Sequence, residues 1–141
     1  MSAADELKAR VDTIEEAYEF FLAYAAQGIS GEQAVKSAGQ AREFLQQSTL
    51  ALTELADRLA ALVEERKLDS PVYRDFIEVV RRDADTAGAA MRLVLAQTAI
   101  SSQMVDNLNA MIHLRALLTD VFLIDEIISP RVPVPSTPPS G

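Results

Sequence analysis

The chain holds no cysteine and no tryptophan, only one histidine, and a single proline before residue 130. Each scarcity removes a class of chemistry. Without cysteine there are no disulfides, iron–sulfur clusters, thiolate zinc sites or cysteine nucleophiles. A ferritin-like di-iron centre needs a Glu-x-x-His pair on each of two helices, whereas the one histidine, His113, has Ala110 three residues before it. Glycines at 28, 31, 39 and 88 are too dispersed to form a phosphate-cradling loop or a nucleotide fingerprint. No alternating Val/Ile/Thr run bounded by Asn-Gly or Asp-Gly turns supports a sheet. Catalysis is left with little to work with, so a non-enzymatic role is expected and no cofactor or metal is assigned.

Basic charge is also short. Thirteen Lys and Arg stand against twenty-one Asp and Glu, giving a net charge of −8 with the signs mixed along the chain. Nucleic-acid affinity rests on neutralising phosphates, so this acidic chain is not expected to bind DNA or RNA. Long uncharged apolar runs are missing too. The most apolar stretch, 110–128, is interrupted by His113, Arg115, Asp120, Asp125 and Glu126. Each charge near a bilayer centre costs about 3 kcal/mol, which argues against a membrane span. Met1 to Arg10 shows no apolar stretch of signal-peptide length, and a cytoplasmic location is the expectation.

What is present is helical periodicity. At 141 residues the chain fits one domain. The near-absence of proline before residue 130 permits long helices almost throughout. The expected architecture is all-α, an antiparallel bundle of about four helices over residues 1–129, followed by a disordered proline-rich tail over 130–141. A first helix opens on a capping box, Ser2-Ala3-Ala4-Asp5, and carries Leu7, Val11, Ile14, Tyr18, Phe21 and Ala25 on one stripe. It should stop at Gly28, with Ile29 supplying the apolar contact of a Schellman motif.

A second capping box at Ser30-Gly31-Glu32-Gln33 starts a helix expected to reach about Arg66, with Leu45, Ser48, Leu52, Leu55, Leu59 and Leu62 on its seam. Within it, Gly39 costs about 1 kcal/mol relative to alanine. Asp69-Ser70-Pro71 opens the third helix, because proline at the first helical position forfeits no hydrogen bond. Its seam is Tyr73, Phe76, Val80, Asp83, Ala87, Ala90 and Val94. A fourth runs from about Ser102 to Ile128 on Met104, Leu108, Met111, Arg115, Leu118 and Phe122, with Ser101 or Ser102 as its cap. Residues 96–103 hold neither glycine nor proline, so one continuous helix from Pro71 to Ile128, about 87 Å long at 1.5 Å per residue, stays open.

Two seam residues are charged. If the third and fourth helices form a hairpin turning near residue 100, Asp83 and Arg115 fall within roughly one turn of each other and are expected to pair and fix its register. His113 shares a polar stripe with Gln103, Asp106, Asn109 and Asp120. A phosphoaccepting histidine usually has a basic residue three positions on, but here Arg115 comes one position early. The aromatic group Tyr18, Phe20, Phe21 and Tyr24 suits core and interface packing. Glu15, Glu16 and Glu19 suit the solvated flank of the first helix. In the tail, Pro130-x-x-Pro133 and Pro135-x-x-Pro138 match only the loose PxxP pattern.

With 49% hydrophobic residues, part of the apolar surface is assigned to another chain. The leading expectation is therefore an interaction protein, a self-associating scaffold, adaptor or small accessory subunit. It would act as a homo-oligomer, a dimer first, or bind a helical partner. The candidate interaction residues are Tyr18, Phe21, Tyr24, Met111, His113, Leu114, Arg115 and Phe122. An alternative is an internal pocket for a small apolar ligand, anchored by Asp106, Asn109 and His113. A third reading is phosphotransfer through His113.

Overall fold

A computed structural model of the chain describes residues 2–27, 32–110 and 112–128. The proposed helix stop at Gly28 and Ile29, the start of the second capping box at Ser30 and Gly31, Met111 and the 130–141 tail all lie outside the described residues. Six helices make up the described chain: α1 Ala3–Gln27, α2 Glu32–Leu52, α3 Leu55–Glu65, α4 Pro71–Leu95, α5 Ser102–Ala110 and α6 Ile112–Ile128. The described residues contain no strand.

Local chemistry sets several of the ends. The Ser2 hydroxyl accepts from the Asp5 amide at 3.1 Å at the start of α1, and the Ser101 hydroxyl accepts from the Met104 amide at 3.1 Å at the start of α5. Pro71 occupies the first turn of α4 after an extended Ser70. Helix α3 ends in a Schellman motif built on a non-glycine residue. Lys67 takes the left-handed conformation at φ 58°, its amide donates to Glu64, and the next amide, of Leu68, reaches back to Val63.

Other ends are set by side chains from distant helices. The second helix does not continue to Arg66; it breaks at Thr53 and Glu54, and Glu54 adopts φ 64°. Neither glycine nor proline causes this. The Arg10 guanidinium, projecting from α1, donates to the carbonyls of Leu50 (3.1 Å), Ala51 (3.3 Å) and Thr53, which a helix end leaves without intrahelical partners. Glu54 lies 3.8 Å from Arg10 and 3.7 Å from Arg58, and Arg58 also reaches Glu6 at 3.0 Å. Arg42 of α2 similarly donates to Leu95 (2.8 Å) and Gln97 (2.7 Å) at the end of α4. The Tyr24 hydroxyl of α1 donates to the Ile100 carbonyl at 3.0 Å. The continuous 71–128 helix is thereby excluded: α4 stops at Leu95, and the chain turns through 96–101.

These contacts also give direction. Arg10, near the start of α1, meets the end of α2, while Arg42 in mid-α2 meets the end of α4 and Leu52 at the end of α2 lies beside Gly88 earlier in α4, so α2 runs antiparallel to both α1 and α4. Helix α1 packs on α2, α3 and α5, while α4 packs on α2, α3 and α6. The shared core is apolar and includes Ile14, Phe21, Leu45, Leu55, Leu59, Val80, Met91, Val105, Leu114 and Leu117. Where α4 meets α2 its residues are small. A Cβ on the buried Gly88 would lie 3.9 Å from Leu52 Cδ1, an ordinary contact, but only 3.0 Å from Arg92 Nη1.

Candidate functional site

Helix α6 carries more apolar residues than the rest of the chain covers. Leu114, Leu117, Leu118, Val121, Ile124 and Ile128 are buried, yet Phe122, Leu123 and Ile127 are 51%, 52% and 55% exposed. On α4, Val72 and Val79 are 77% and 37% exposed. Val72, Val79, Leu123 and Ile127 belong to two stripes that meet. Along α4 the stripe is Val72, Phe76, Val79 and Asp83; along α6 it is His113, Ala116, Asp120, Leu123 and Ile127, each at alternating three- and four-residue spacing.

The stripes touch at Asp83, whose Oδ1 lies 3.9 Å from His113 Nδ1 and whose carboxyl is near enough to Asp120 to raise its pKa. Val80 and Val121 line the same cleft, so the α4 stripe runs towards lower numbers as the α6 stripe runs towards higher ones. On that register Val79 and Val72 fall level with Leu123 and Ile127. Beyond the acidic contact the α4–α6 seam becomes an exposed apolar strip.

The electrostatics of the contact differ from the expected register pair. Asp83 and Arg115 form no ion pair. Arg115 is exposed, on another face of α6, and Asp83 faces His113 and Asp120. Burial is the main cause that pushes the Asp120 carboxyl up to about 7, and the Asp83 carboxylate adds to it. Asp120 Oδ2 is buried with no donor facing it. A proton on Asp120 turns two repelling acceptors into a donor and an acceptor. A turn near residue 100 sets Asp83 opposite position 117, two residues from Arg115 and three from Asp120, and opposite charge favoured the wrong partner; the burial that neutralises Asp120 leaves no mark in the sequence.

The remaining sequence-selected residues separate. Phe21, Tyr24 and Leu114 are buried in the chain's own core and offer no surface to a partner. Tyr18 is half-buried, His113 and Phe122 are exposed, and Met111 is outside the described residues. Phe20 stacks on Phe44 with ring centres 4.5 Å apart and on Tyr24 at 5.9 Å, so the aromatic group packs α1 to α2. Asn109 is buried with neither amide atom hydrogen-bonded, as is the Ser48 hydroxyl. No three metal-ligating side chains converge among the described residues, and no described helix is long and apolar enough to cross a membrane.

A second feature lies on the other flank of α6. Because α5 packs on α1 whereas α6 packs on α4, the C-terminal half of α6 stands off from the N-terminal half of α1. Between them is a cleft of about 440 Å³ floored by Leu55, Leu59 and Leu62 of α3 and edged by Phe122. Asp106, Asn109 and His113, the anchors expected for an internal pocket, do not line it. No protein-family model, curated protein or solved structure matches the chain.

Proposed function

We propose that the protein is a non-enzymatic helical interaction module that associates with a second copy of itself through the α4–α6 seam. On this reading the six described helices are four arms of an antiparallel bundle, two of them made of a pair of helices, α2 with α3 and α5 with α6. The observation that carries the proposal is the uncovered apolar strip of Val72, Val79, Leu123 and Ile127. A helix apolar on nearly all sides needs cover on all sides, and within its own chain α6 obtains it on one side only. A two-fold dimer uses the same patch on both copies, and an antiparallel seam of two helices is a surface on which a copy can lie in that way.

The test is the mass in solution by light scattering and sedimentation over a micromolar concentration series. The wild-type chain is expected to sediment as a dimer. The Leu123→Glu/Ile127→Glu variant should sediment as a monomer with unchanged helical circular dichroism, because both positions are solvent-exposed within one chain. A wild-type monomer throughout the series, or a dimer indifferent to the double substitution, overturns the proposal.

A further inference from the structure

We propose that self-association through the α4–α6 seam is proton-linked: the second copy lies over the Asp83–Asp120 contact as well as the apolar strip, so the dimer takes up protons as it forms, tightening in weak acid and loosening in weak base. Such regulation rests on the seam being the self-association face. Position links the two features. Asp120 stands one turn before Leu123 on α6, and Asp83 one turn after Val79 on α4, offsets of about 4.5 and about 6 Å along the helix axes at 1.5 Å per residue. A helix with its side chains is about 10 Å across. A copy seated on Leu123 and Val79 therefore also covers the acids. Both still have water to lose, Asp83 with 19% of its side chain exposed and Asp120 half-buried. A two-fold interface does this twice, once on each copy.

The groups around the contact give the sign. Helix α4 brings Asp83 to Asp120, while its Arg82 and Asp85 are exposed. Helix α5, which also packs on α6, carries an exposed Asp106 and no other charge. Along α6 itself, His113 lies 3.9 Å from Asp83, and Arg115 is exposed on another face. No lysine or arginine among the described residues pairs with either acid, and Asp120 Oδ2 has no donor facing it. Removing the remaining water therefore favours the form in which Asp120 carries a proton. Burial and Asp83 already raise the Asp120 carboxyl to about 7 in the single chain, so a further rise on association falls across neutral pH. A group held more protonated in the dimer than in the monomer strengthens association fully below the monomer's value and loses that contribution as pH climbs through the dimer's. Each copy draws one proton from solvent, leaving Asp83 as the one negative charge of its acid pair.

Sedimentation of the full chain over a micromolar series at about pH 6 and about pH 8.5 tests the link, in about 0.5 M salt to screen the general repulsion between like-charged copies. Lifting each Asp120 carboxyl by about half to one pH unit on association weakens the wild-type dimer about ten- to fiftyfold between the two conditions. Asp120→Asn cannot ionise; with its helical circular dichroism unchanged, it should dimerise with one Kd at both pH values, matching wild type in acid. Histidine side chains also change charge near neutrality, so His113→Gln, at an exposed position, identifies the carrier: the pH dependence should persist in that variant. A wild-type dimer with the same Kd at both pH values, a dependence that survives Asp120→Asn, or one abolished by His113→Gln overturns the proton link and leaves the seam in place. A wild-type monomer at both pH values removes the seam and the link together.

Discussion

Replacing Asp120 by asparagine should make the protein more stable at neutral pH and remove a pH dependence that the wild type shows. In the folded chain the Asp120 carboxyl is raised from an ordinary value of 3.8 to about 7, chiefly by burial and then by Asp83. An acid whose folded value is raised holds its proton more tightly in the native state than in the unfolded one. Its native environment is therefore tolerated at no cost below about pH 4, and stability is lost as pH climbs from there through about 7. A displacement of about three pH units corresponds to a ceiling of about 4 kcal/mol. Asp120 is only half-buried, and solvent screening reduces that to about 1–2 kcal/mol.

Asparagine keeps the shape, cannot ionise, and offers an amide donor to Asp83. Urea unfolding of wild type and Asp120→Asn, followed by circular dichroism at about pH 4.5 and about pH 8, reads the difference directly. The two proteins should be nearly equal in acid, and the variant should lead by about 1–2 kcal/mol at pH 8. Groups elsewhere titrate alike in both chains and cancel in the comparison. A stability difference that is the same at both pH values would refute the assignment of a neutral Asp120 at the α4–α6 contact.

Arg10→Ala removes the guanidinium that gathers three carbonyls at the α2–α3 break and should cost about 1–3 kcal/mol; faster hydrogen exchange at Leu55–Leu59 than elsewhere in the core checks it. Lys67→Gly, at φ 58°, should stabilise by about 0.5–1 kcal/mol in thermal melts, because glycine adopts the left-handed conformation without a Cβ clash. Gly39→Ala should stabilise by up to about 1 kcal/mol in the same assay, since nothing lies within 4 Å of the added methyl. At Gly88 the gain should be smaller, because the Arg92 guanidinium must move aside. Ser48→Ala, which deletes a buried hydroxyl without a partner, should stabilise by about 1 kcal/mol.

The all-helical class was legible because leucine-type residues recur every three or four positions, a spacing only a helix gathers onto one face. The ends closed by nearby polar side chains, at Ser2 and Ser101, and the proline start of α4 were legible for the same local reason. The break at Glu54 was not. The apolar phase runs through Leu52 and Leu55 undisturbed, and the cause, Arg10, is 40 or more residues away. The interaction face was half legible. The apolar excess of α6 is plain in its composition, but choosing Phe21, Tyr24 and Leu114 as its surface mistook size for exposure. The cleft has no sequence signature, because it arises from α5 and α6 leaning on different neighbours.

Arg10, Arg42 and Tyr24 each close a backbone end that lies 40 to 76 residues away along the chain. Those boundaries come into being only when the neighbouring rod has arrived. A peptide covering residues 32–65 alone has no reason to bend at Glu54, since nothing there supplies the missing donors. Where one segment finishes and the next begins is thus a product of assembly, and dissecting the molecule into pieces would erase its joints together with its contacts.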